Sequence, residues 1–123
     1  MRIERELMRG AGPVAVLRLL ADGEKYGYEL VEALARRSEG VLDMGQSTLY
    51  PMLYNLQAKG LIAARWGQAD TGRKRKYYRL TDRGRKRLAS ETQQWQALAK
   101  AMQAIGVLGD SDNAAPAAGG AVT

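Results

Sequence analysis

The hydrophobic period of this chain changes at Gly60, and that change limits what it can fold into. Ahead of Gly60, apolar residues recur every three or four positions, the mark of amphipathic helices; beyond it they alternate, the mark of strands. Leu7, Ala11, Val14, Leu17 and Leu20 fall on one face of a first helix predicted over roughly Glu4 to Leu20, with Pro13 as its start or a kink. Asp22-Gly23 signals a turn. A second helix, Tyr26 to Arg36, turns Leu30, Val31 and Leu34 inward, and Ser38-Glu39-Gly40 closes it, since glycine readily takes the left-handed conformation. A third, Ser47 to Lys59, buries Leu49, Met52, Leu53 and Leu56. Pro51 is tolerated only near a first turn, so this helix starts at Gln46 or Ser47, and Gly60 caps its end.

Leu61 to Trp66 then reads as a strand, Gly67 to Gly72 as a turn, and Lys74 to Leu80 as a second strand, together a β-hairpin with a basic tip. Trp66 is expected to anchor packing rather than to serve as a base-stacking platform, and of Tyr77 and Tyr78, on opposite strand faces, one should be core and one surface. Thr81 is a natural N-cap for a last helix, although Gly84 stands where a capping box wants Glu or Gln. In that helix Leu88, Trp95 and Met102 recur every seven residues with Leu98 and Ile105 between them, a seam suited to a second helix. The alternative is packing on the chain's own core. From Gly109 the composition turns to Ala, Gly, Asp, Ser and Pro without an apolar period, and this tail is expected to be disordered.

Composition narrows the function. The chain has 123 residues, 46% of them apolar, enough for one modest core that a partner chain would help. It holds no cysteine and no histidine, which removes disulfides, the thiolate nucleophile, the usual zinc ligands and the commonest general base. No catalytic residues, metal ligands or cofactors are therefore expected. No long apolar run is present and the N-terminus is charged, so a cytoplasmic protein without membrane contact is expected. The formal charge of +6 is concentrated: residues 59 to 88 hold eleven basic residues against Asp70 and Asp82. A run of this kind is often only a solvated face, but it also attracts polyanions.

Three helices followed by a basic hairpin describe a mainly α chain with a small β-hairpin, a winged helix-turn-helix domain over residues 1–80. A C-terminal dimerisation helix, 81–108, and a tail, 109–123, complete it. In such a domain the third helix can lie in the major groove while the hairpin reaches an adjacent groove or backbone. Gln46, Ser47, Thr48 and Tyr50 stand at that helix's N-terminus, where short polar side chains can approach base edges, and Tyr54 lies on the same outer side. Lys59 and the hairpin residues Arg73, Lys74, Arg75 and Lys76 are candidates for neutralising phosphates. Tyr26 is either a phosphate donor or half-buried, and Tyr28 is open to the same two readings.

The stretches Tyr26-Gly27-Tyr28-Glu29-Leu30, Ser47-Thr48-Leu49-Tyr50-Pro51-Met52-Leu53, Leu56 to Ile62, and Gly72-Arg73 with Lys76-Tyr77-Tyr78, Leu80 and Thr81 resemble the PadR family of transcriptional regulators. The resemblance runs over about residues 8 to 105 and implies a homodimeric repressor on a palindromic operator of double-stranded DNA. It implies that the third helix and the hairpin bind DNA and that Leu88, Trp95, Leu98, Met102 and Ile105 join the two copies. Some short family members hold flat aromatic drugs between two tryptophans, and Trp95 falls at a matching place, which implies a small aromatic effector; the alternative is a seam-filling residue. Two other classes stay open from the residues themselves: a winged-helix module binding RNA or protein without an effector, and a nuclease, for which only Asp70 and Asp82 are at hand.

Overall fold

The computed structural model describes residues 1–109, so nearly all of the tail expected to be disordered lies outside the described residues. The elements are α1 (Arg5–Ala21), β1 (Lys25–Tyr26), α2 (Gly27–Arg37), α3 (Gln46–Ala58), β2 (Ile62–Gln68), β3 (Lys74–Leu80) and α4 (Asp82–Ile105). Two compact units result, Met1–Ala89 and the remainder from Ser90, and the core belongs to the first. It is built from Val16, Leu17 and Leu20 of α1, Leu30 and Leu34 of α2, Leu49, Leu53 and Leu56 of α3, and Ile62, Tyr78 and Leu80 of the sheet. Among the described residues no side chain with a polar head is fully buried without a partner, and no helix is long and apolar enough to cross a membrane.

The helix α1 runs through Pro13. Leu17 and Leu20 of the expected inner face are buried, but toward the N-terminus the buried face shifts. Met8, Gly12 and Val16 turn toward the core, whereas Leu7 is 67% exposed. At Gly12 α3 comes close: a Cβ there would stand 2.6 Å from the Met52 Cε, so the absent side chain lets the two helices meet. The ends of α1 and α2 are tied by Asp22, whose carboxylate accepts from Arg18 at 2.9 Å and Arg37 at 2.8 Å. As expected, Gln46 opens α3 and Gly60 closes it, with φ +75° and its N–H donated to the Gln57 carbonyl at 2.9 Å.

The sheet has three antiparallel strands in the order β1-β3-β2 rather than a hairpin alone. Two residues are too few to display a period of two, so β1 was invisible in the pattern. The second strand also runs to Gln68, two residues past the expected end, because Gly67 and Gln68 pair with Arg75 and Lys74.

The junction between sheet and α4 explains the odd cap. The Thr81 hydroxyl accepts from the Gly84 N–H at 3.0 Å and lies 2.7 Å from the Gly60 carbonyl and 2.9 Å from that of Leu61, while the Thr81 N–H donates to Leu61 at 3.1 Å. The first turn of α4 thus rests on the backbone that joins α3 to β2. At Gly84 a Cβ would run into the Leu61 carbonyl oxygen and stand 2.7 Å from the Leu80 Cδ1. A glutamate at this position, as a capping box would have, has no room. Helix propensity alone favours Gly84→Ala by about 1 kcal/mol, but overpacking costs about 1–3 kcal/mol. Gly84→Ala is therefore expected to lower the urea midpoint with an unchanged slope; a midpoint that rises would show that the junction relaxes freely.

Candidate nucleic-acid interface

With Leu49, Leu53 and Leu56 committed to the core, the opposite side of α3 must face out. Gln46, Ser47 and Thr48 are exposed in its first turn, and Gly45, the N-cap, offers no side chain to the free N–H groups there. Pro51 falls at the sixth position of the helix, so the exposed Ser47 carbonyl also lacks its usual partner. Tyr54 is 73% exposed, and Lys59 is exposed at the C-cap. Tyr50 is divided: the residue is 43% exposed, while its hydroxyl lies against Gly27 at the start of α2, 2.5 Å from where a Cβ would be.

The expected basic tip is spread differently. Only Arg73 lies in the turn, which closes through Ala69 N–H to the Arg73 carbonyl at 2.9 Å; Lys74, Arg75 and Lys76 belong to β3. Strand alternation then sends Lys74 and Lys76 to one face and Arg75 to the other.

The Arg75 face is a ladder of aromatic and cationic groups. The Arg75 guanidinium lies 4.3 Å from the Tyr26 ring centre, Tyr26 meets Tyr77 edge to face at 5.7 Å, and the Arg65 guanidinium lies 4.8 Å from the Tyr77 ring. Glu24, from the loop after α1, holds Arg65 through both carboxylate oxygens, with Nε donating at 3.1 Å. These hydrogen bonds from Arg65 hold the Glu24 carboxyl below its ordinary range. Tyr26, a candidate phosphate donor in the sequence, stands inside this brace, between Arg75 and Tyr77.

The opposite face of the hairpin continues the core. Ile62 pairs with Leu80, Ala64 with Tyr78, Trp66 with Lys76, and Gln68 with Lys74. The first two pairs are covered by the helices, and the last two project beyond them. Tyr78 is the buried tyrosine of the pair and Tyr77 the half-buried one. Burial pushes the Tyr78 phenol up, and the nearby Tyr50 adds to the rise. Trp66, expected to be a packing anchor, is instead 68% exposed, because β2 has left the core by the time the chain reaches it.

In α4, Leu88 packs partly on the core of its own unit. Further along, Trp95, Leu98 and Ile105 are exposed and Met102 is half-buried, so apolar side chains line one stripe of the helix.

This geometry has relatives. The profile of the transcriptional regulator PadR-like family matches residues 16–90. The chain belongs to that family. It is 35% identical over 96 residues to a transcriptional regulator of Mycobacterium tuberculosis, covering 78% of this chain and 86% of the relative. A PadR family regulator of Eggerthella lenta superposes with TM-score 0.71 at 35% identity, over 81% of this chain and 85% of that one. PadR of Bacillus subtilis, solved in complex with operator DNA, superposes with TM-score 0.62 at 30% identity, over 69% of this chain and 48% of that one. The winged-helix expectation and the family resemblance are both met, and a PadR-like chain is a transcriptional regulator rather than an enzyme.

In this PadR-like regulator Glu24, Arg65 and Tyr77 form one unit and Trp66 lies at the surface, neither of which the sequence pattern reveals. The alternation of β2 and β3 put Arg65 and Tyr77 on definable faces, but only the register brings them opposite each other. The Glu24 ion pair has a pH signature of known sign. Its carboxyl is depressed below the ordinary 4.5, so its contribution is complete above that value and disappears as pH falls through the lower folded value. Glu24→Gln is expected to melt slightly earlier than the parent at pH 7, the difference vanishing in strongly acidic buffer. A difference that persists there would assign the effect to something other than the charge.

Proposed function

We propose that this regulator binds duplex DNA as a homodimer and represses transcription from a palindromic operator. What carries the reading is the exposed polar first turn of α3 beside the lysine-bearing face of the hairpin, in a chain whose relative from Bacillus subtilis was solved on operator DNA. Gln46, Ser47 and Thr48 enter the major groove, where uncapped N–H groups and the helix dipole also favour a phosphate. Tyr54 and Lys59 flank them on the same helix, and Arg73 and Lys74 neutralise backbone phosphates from the wing. The apolar stripe Trp95, Leu98, Met102 and Ile105 joins α4 to its copy, which sets the two recognition helices about one DNA turn apart. Two Trp95 indoles facing each other there make a slot for a small planar aromatic effector, whose binding changes that spacing and releases the operator.

The direct test is a footprint on the promoter of the protein's own gene and its neighbours at two salt concentrations. A protected palindrome that weakens with salt is the expected result; uniform weak protection would overturn sequence-specific regulation. Arg73→Ala is expected to weaken binding to every sequence and to lower the slope of log affinity against log salt by about 0.9, the value for one phosphate. A slope equal to the parent's would take Arg73 out of the interface. For the dimer, Leu98→Asp places a charge in the stripe and is expected to sediment as a monomer at micromolar concentration. Sedimentation as a dimer would move the interface elsewhere.

A further inference from the structure

The exposed indole of Trp66 has no role in the reading above. It sits on the core-side face of the hairpin, in line with Ile62 and Ala64 but beyond the edge of the helices. Its cross-strand partner is Lys76, and the next pair outward is Gln68 with Lys74. Together Trp66, Gly67, Gln68 and Lys74 line a shallow, mainly apolar depression. Inward along the same face, the Lys76 ammonium lies 5.7 Å from the ring centre of Tyr78, which is itself buried. Beyond the buried Tyr78, the part of this face open to solvent is therefore the outer end of the hairpin, Trp66, Lys76, Gln68 and Lys74.

Charge decides what such a surface can accept. An indole flanked by two ammonium groups suits an occupant with an apolar surface between anionic groups, and lysine at the centre of a patch disfavours an ordinary protein interface. The sugar-phosphate backbone of duplex DNA has that composition: each deoxyribose offers a CH face, and a phosphate stands on either side of it. Bases in a duplex are stacked inward, so the indole meets sugar. The brace of Arg75, Tyr26, Tyr77, Arg65 and Glu24 occupies the other face and engages its cations internally.

We propose that Trp66 packs on a deoxyribose of the backbone strand beside the major groove read by α3, with Lys74 and Lys76 on the adjacent phosphates. The contact rests on the DNA-binding reading above and deepens it, by making one face of the wing the binding face. Because it touches sugar, it is indifferent to sequence and uncharged, and its loss lowers affinity without changing the salt slope.

The experiment uses the full chain labelled with 5-fluorotryptophan, whose two 19F signals are assigned with Trp66→Phe. It is mixed with a duplex of about three turns, roughly 30 bp. Binding is expected to abolish the solvent-isotope shift of the Trp66 signal. Trp66→Ala is expected to weaken binding about tenfold, equivalent to about 1.4 kcal/mol, with the parent salt slope, and Trp66→Phe to weaken it less. A duplex that binds while the Trp66 signal stays solvent-exposed and Trp66→Ala keeps the parent affinity would overturn the contact and leave DNA binding standing. A signal already shielded in the free protein and unmoved by duplex would assign the face to a second copy of the chain, also overturning it. No binding to any duplex would overturn the DNA-binding reading and this contact together.

Discussion

Four segments of chain meet at Thr81, and the arrangement of the proposed DNA-binding surface follows from that meeting. Gly60 ends α3, Leu61 opens the route to β2, β3 ends at Leu80, and α4 begins at Asp82. The Thr81 hydroxyl and amide touch the backbone of the first two while its oxygen caps the fourth. A hydroxyl can serve as donor and acceptor together, which is why a threonine can hold this point and a carboxylate cap could not. The contact fixes where α3 stops relative to the root of the hairpin. It also fixes where the first turn of α4 begins. Gly84 belongs to the same constraint, since the helix can lie this close to the Leu61 carbonyl only where no side chain intervenes.

The hairpin shows how one short pair of strands divides its work by face. Alternation sends Lys74 and Lys76 with Trp66 to the side that continues the core toward α3, and Arg65, Tyr77 and Arg75 to the other. On that second face the cations are engaged by rings and by Glu24, so they stiffen the wing instead of adding free positive charge. The total of basic residues between 59 and 88 therefore overstates what is available to a polyanion. On the side of α3, Lys76 also stands over a ring, that of Tyr78, while Lys74 is exposed.

Much of this was legible before folding was considered. The stripes Leu30-Leu34 and Leu49-Leu53-Leu56 located α2 and α3, Gly60 marked the change of period, and the alternation after it announced strands. The polar residues at the start of α3 followed as the outward face because the inward one was already occupied. Where the reading slipped, neighbours distant in sequence are involved. At the N-terminal end of α1 Met8 and Gly12 turn inward instead of Leu7, with Met52 of α3 close against Gly12, and the two-residue β1 pairs only with β3. Trp66 looked like a core residue by its chemistry and its phase, and it is exposed because the strand outruns the helices.

Local pattern thus settled the four helices, the β2–β3 hairpin, their order and the polar face of α3, and carried the family resemblance, since each depends on residues within a few positions of one another. The brace from Glu24 to Arg75, the exposure of Trp66 and the necessity of glycine at position 84 came only with tertiary structure. Each depends on the register between strands or on the approach of backbone segments some twenty or more residues apart, as Leu61 is from Gly84 and Glu24 from Arg65. Periodicity carries no record of such distances, because register is decided by which pairs of faces can be buried together once the chain has folded.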